Sequence, residues 1–95
     1  MNILTLKDLK EYHFKMYDKC QYLENCIKDL ELTQEMLPSG YVKILYNDKM
    51  ICLISVEENC YTIIKYCGRV PYVQEVNQND LFVIMKEGKK NVQFG

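Results

Sequence analysis

The sequence predicts an α+β fold: one long N-terminal helix followed by an antiparallel β-meander of four to five strands. A single domain spans residues 1–95, with the helix at about 6–36 and the sheet at about 41–94. Three observations carry this. The stretch from Thr5 to Leu37 holds neither Gly nor Pro and repeats apolar residues every seven positions. From Tyr41 onward the pattern changes to short Val-, Ile- and Tyr-rich runs divided by turn residues. Those turns are two to four residues long, which joins successive strands antiparallel.

The helix opens at Thr5, an N-cap residue, with Asp8 three positions on. Its apolar stripe reads Leu9, Met16, Leu23, Leu30 in one series and Leu6, His13, Cys20, Ile27 in the other. Glu11 with Lys15 and Glu24 with Lys28 mark the wet face as i,i+4 pairs. Pro38, Ser39 and Gly40 end the helix. At 1.5 Å per residue, residues 6–36 make a rod of about 46 Å, against about 20 Å for a six-residue strand. A stripe longer than its own sheet calls for a second copy of the helix, as in a coiled coil. A break near Asn25 would instead fold the stripe on itself as a helical hairpin, but no Gly or Pro supports one.

The strands follow in order. Tyr41 to Tyr46 is the first, and Asn47-Asp48-Lys49 turns the chain into Met50 to Val56. Cys60 to Cys67 is the third, and Tyr72 to Val76 the fourth, placed at an edge by Pro71. Asn77-Gln78-Asn79-Asp80 reads as a turn, Leu81 to Lys86 as a fifth strand, and Asn91 to Phe94 as a short last one. In the second strand Met50, Cys52, Ile54 and Val56 point one way, Ile51 and Leu53 the other. Leu81, Val83 and Met85 oppose Phe82 and Ile84 in the same manner. Both sheet faces are therefore apolar, and one helix covers only one of them. The second face requires a cover of its own.

Composition narrows the function. Twelve Lys and Arg against thirteen Asp and Glu give a net charge of −1, divided as −2 over residues 1–38 and +1 over 39–95. That balance argues against a nucleic-acid partner. The opening MNILTLKDLKEY lacks a signal peptide's basic and apolar regions, and no run approaches the roughly 20 apolar residues of a membrane span. The expectation is a cytoplasmic protein with no membrane partner. Five cysteines, an odd count without a CxxC, fit buried small hydrophobes in a reducing compartment.

No catalytic, metal or nucleotide motif stands out. His13 is the single histidine, and Cys20 lies about 10.5 Å along the same helix, too far for one ion. Setting register at a helix seam is its simpler role. Cys–His catalysis would need His13 beside Cys52, Cys60 or Cys67, without any local signature for it. Glu57-Glu58 and the Asp29/Glu31 pair do not converge by local geometry. Gly88-Lys89-Lys90 matches only a fragment of a phosphate loop.

Eight tyrosines are the unusual feature. Strand packing explains most of them, and interfaces also favour Tyr.

The expected function is a non-enzymatic, dimeric protein-interaction module without a cofactor. Leu9, His13, Met16, Cys20, Leu23, Ile27 and Leu30 are its candidate dimer seam. Tyr61, Lys65, Tyr66, Arg69, Tyr72, Lys86, Lys89 and Lys90 are its candidate partner- or ligand-binding residues. The Lys-, Asn-, Ile- and Tyr-rich vocabulary resembles that of small proteins from low-GC bacteria and their phages. Such a resemblance implies a viral or mobile-element inhibitor of a host enzyme, of which anti-CRISPR proteins are examples. The alternative is a nucleotide-type ligand binder with its site at a dimer interface, tyrosines stacking the base and Lys or Arg holding phosphate.

Overall fold

A computed structural model describes residues 17–94. The element order is α1 (Tyr17–Asp29), β1 (Thr33–Met36), β2 (Val42–Tyr46), β3 (Lys49–Val56), β4 (Tyr61–Cys67), β5 (Val70–Val76) and α2 (Gln78–Phe94). The five strands form one antiparallel sheet in the order β1-β2-β3-β4-β5. The α+β class and the antiparallel meander stand. Three boundaries within them do not.

First, the long helix ends at Asp29 and does not reach Met36. Leu32 N–H donates to the Ile27 carbonyl at 2.9 Å and Glu31 N–H to the Lys28 carbonyl at 3.1 Å. This double bond pattern is a Schellman cap, with Glu31 in the left-handed region at φ 57°. Its usual apolar clasp is present, since Leu32 and Ile27 are both buried. The expected terminator, Pro38-Ser39-Gly40, closes a hairpin between β1 and β2 instead: Gly40 N–H reaches the Leu37 carbonyl at 3.0 Å. Neither the rod to Met36 nor the break near Asn25 is found. The thirteen described helical residues extend about 20 Å, close to a strand's length. The part of the rod before Tyr17, with its Thr5 cap, lies outside the described residues.

Second, Leu81 to Phe94 is helix, so the sheet spans 33–76 rather than 41–94. Asn77 is an N-cap: its Oδ1 accepts from Asp80 N–H at 3.0 Å, and its carbonyl from Leu81 N–H at 3.2 Å. Leu81 and Met85 are fully buried, Gly88 is buried and Val92 half-buried, a helical spacing.

Third, β3 carries a bulge. Ile44 pairs with Cys52 and Leu45 with Met50, leaving Ile51 as the extra residue. The bulge turns Ile51 to the same side as Cys52 and sends Met50 to the opposite side, reversing the sides that simple alternation assigns them.

Both helices lie on one face of the sheet. One core cluster joins Cys20, Leu23 and Ile27 of α1, and Leu30 just after it, with Val42, Ile44, Ile51, Cys52, Ile54, Tyr61 and Ile63 of the strands and Leu81 and Met85 of α2. Tyr61 donates from its hydroxyl to the Lys19 carbonyl at 2.7 Å, fastening α1 to β4. At the other end, Lys89 Nζ donates to the Leu30 carbonyl at 2.6 Å and sits 5.0 Å from the Tyr46 ring centre, joining α2 to the end of α1 and to β2. No helix among the described residues is long and apolar enough to cross a membrane.

Candidate functional site

Among the described residues, helices on one side leave the other side of the sheet open. Alternation from the buried residues Val42, Ile44, Ile54 and Ile63 places Leu45, Leu53, Ile64 and Tyr66 on that opposite face. Register adds Met50 opposite Leu45 and Val73 opposite Ile64. These six form an apolar stripe across β2 to β5, rimmed by Thr33, Glu35, Lys43, Ser55, Thr62 and Glu75. Leu45, Met50, Leu53 and Ile64 are half-buried by their neighbours, whereas Tyr66 is 49% and Val73 64% exposed. No described element covers the stripe.

The two sheet edges differ. β1 is four residues long with three polar side chains, TQEM, which blunts it as a template for further pairing. β5 is seven residues, VPYVQEV, exposed at every position but the last. It contains no Lys or Arg, and Val70, Tyr72 and Val73 stand more than half exposed. Pro71, which lacks a donor, and the carboxylate of Glu75 limit the registers in which it can pair.

The candidate residues from the sequence scatter over this frame. Leu9, His13 and Met16 lie outside the described residues. Cys20, Leu23, Ile27 and Leu30 form a stripe as expected, but it is buried under the chain's own sheet. Tyr61 is fully buried and bound to α1, so its ring has no open face for a base. Tyr66 lies on the open face opposite Pro71; Lys65 and Tyr72 pair on the helix side next to the free edge. Arg69 sits in the β4–β5 turn at the end of the sheet towards which α2 runs.

Lys86, Lys89 and Lys90 do come together. With Leu30 and Gln93 they line a hollow of about 240 Å³ at the C-terminal part of α2. Lys89 is engaged there by the Leu30 carbonyl and the Tyr46 ring. A larger groove of about 410 Å³ separates α1 from the start of α2. Asp18, Gln21, Asn25, Asp29 and Gln78 give it a polar and acidic lining.

Three of the five thiols, Cys20, Cys26 and Cys52, are packed in the core, whereas Cys60 is half-buried and Cys67 exposed, so the expectation of five buried cysteines holds for three. Burial pushes Cys52 up to about 12 from 9.0, with Lys65 offsetting a part of that. Burial also raises Cys26, while its hydrogen bond with Tyr22 pulls the other way. Both remain thiols at neutral pH and are no nucleophiles there. Tyr61 and Tyr22 are likewise raised, by burial first and by the neighbouring Cys26 next. No group of three or more His, Cys, Asp or Glu among the described residues converges as a metal site.

The apolar stripe was only partly visible in the sequence. Leu53 shows itself by alternation, but Met50 needs the bulge and Val73 needs the register. Counting back from the two-residue turn at Gly68-Arg69 would have found Val73. Comparison with protein-family models, with curated proteins and with solved structures returns no match.

Proposed function

We propose that the protein is a non-enzymatic, homodimeric protein-interaction module whose target docks on the sheet face opposite the helices. One observation carries this reading: Leu45, Met50, Leu53, Ile64, Tyr66 and Val73 share that face, and no described element covers them. A polar rim around an apolar centre is the anatomy of a protein-binding patch. Dimerisation supports the reading through area. Five strands about 4.8 Å apart and about 20 Å long give a footprint of roughly 500 Å², short of the roughly 800 Å² per partner of a stable complex. Two joined copies exceed that size.

The test is capture from an extract by the immobilised full chain, run beside Ile64→Lys and Val83→Lys. Val83 is 55% exposed on α2, on the helix layer, and serves as the control. A stoichiometric protein retained by the wild type and by Val83→Lys, and lost with Ile64→Lys, supports the reading. Equal retention by all three, or retention of no protein, overturns it.

A second reading is an anionic ligand, of nucleotide type, held by Lys86 and Lys90 beside the hollow at Leu30. A thermal shift against a nucleotide panel tests it, because a bound ligand raises the melting temperature by mass action. Its loss in Lys86→Gln/Lys90→Gln would assign the site.

A further inference from the structure

Among the described residues no strand pairs with the outer edge of β5, and this free edge specifies both a partner and a register. β4 and β5 are joined by a two-residue turn, with Cys67 opposite Val70. Gly68 takes φ 65°, as the first central position of a II′ turn requires. The pair closing such a turn exchanges hydrogen bonds, and bonded and non-bonded pairs alternate from there. Cys67·Val70, Lys65·Tyr72, Ile63·Gln74 and Tyr61·Val76 are therefore the bonded pairs. Tyr66·Pro71, Ile64·Val73 and Thr62·Glu75 are not. The peptide groups of Pro71, Val73 and Glu75 consequently point away from β4, to the free edge.

We infer that a second copy of this chain pairs there, β5 against β5, antiparallel about a two-fold axis through Val73. This rests on the dimeric reading above and names its interface. Val73 is the middle of β5, so only this register overlaps all seven residues of both strands. Val73 N–H of each copy donates to the Val73 carbonyl of the other. Glu75 N–H of each donates to the Pro71 carbonyl of the other. Four hydrogen bonds form, and Pro71, which has no donor, is met by a position that needs only its carbonyl. A centre at Pro71 would leave the central pair without a donor. A centre at Glu75 would set two carboxylates directly opposite each other.

Side chains agree with this register. On the open face Val73 meets Val73 of the second copy, and Glu75 meets a proline. On the helix side Tyr72 lies beside Gln74 of the second copy, and Val70 beside Val76. No like charges face each other in any pair. The ten strands then form one sheet, and the stripe of Ile64 and Val73 runs unbroken into its copy. An isologous contact of this kind closes on itself and does not propagate.

Sedimentation equilibrium of the full chain tests this, with Val73→Lys and Val83→Lys beside it. The wild type and Val83→Lys are expected at twice the chain mass of 11.3 kDa. Val73→Lys, which sets two ammonium groups across the axis, should dissociate at least tenfold more readily, with unchanged circular dichroism. Amide exchange gives a second readout: Val73 and Glu75 N–H should be protected in the dimer and exchange freely in Val73→Lys. A dimer that resists Val73→Lys overturns the β5 interface and leaves the dimeric module standing. A monomeric wild type overturns both.

Discussion

The Tyr61 hydroxyl reaches across from β4 to the Lys19 carbonyl of α1 at 2.7 Å, and the Lys19 ammonium lies 5.6 Å from the centre of the same ring. One side chain thus anchors the first described turn of α1 to the sheet. Tyr61→Phe keeps the buried ring and removes the bond. It should cost about 1–2 kcal/mol in urea unfolding, with the m-value unchanged. A loss below a few tenths would show that α1 is held by packing alone.

Gly88 lies against Ile51 where α2 crosses the bulge, and a Cβ at Gly88 would collide with the Ile51 γ-methyl. Gly88→Ala gains helix propensity of about 1 kcal/mol but must displace a β-branched side chain in the core. A net loss of about 1–2 kcal/mol is expected. Ile51→Ala removes the obstructing methyl, so the double variant should be more stable than the two single losses sum to. Strict additivity in that cycle would refute the contact.

Alkaline pH should weaken the fold. The unfolded Cys52 thiol ionises near 9.0 and the buried one near 12. Between those values the unfolded chain releases a proton that the folded chain keeps, so stability falls as pH rises. The window corresponds to roughly 4 kcal/mol, present in full below pH 9. Raised Tyr61 and Cys26 act in the same direction. Cys52→Ala should be less stable at pH 7 and yet lose less between pH 9 and 12, as urea midpoints across that range would register.

Thiol labelling should divide the five cysteines. Cys67 is exposed and Cys60 half-buried, while Cys20, Cys26 and Cys52 are buried. A thiol-disulfide reagent should titrate Cys67 quickly, Cys60 more slowly and the other three only after unfolding. Cys67→Ser should remove the fast phase. Rapid reaction of all five in the native protein would contradict the core.

Glu31 holds φ 57° at the end of α1 without being a glycine. Relief of the left-handed strain outweighs the added freedom of the unfolded chain at such a site. Glu31→Gly is expected to stabilise by about 0.5–1 kcal/mol, as a higher melting temperature.

The sequence by itself determined the α+β class, the antiparallel meander, three of the strands within a residue and the fourth within two, and the stripe Cys20, Leu23, Ile27, Leu30. These follow from local periodicity and turn chemistry. Tertiary structure decided the rest. Thr33–Met36 shows no strand signal, and it pairs because the Schellman cap at Glu31 delivers it to β2. Leu81 to Met85 alternates like a strand, yet the Asn77 cap and the need to bury Leu81, Met85 and Gly88 along one line make it helix. Gly88 is required by its close approach to Ile51, a long-range contact that no local pattern marks. The open face and the free edge could not be placed from the sequence for the same reason. Which side of a strand is covered depends on where the helices pack, and a bulge of one residue exchanges the sides of Met50 and Ile51.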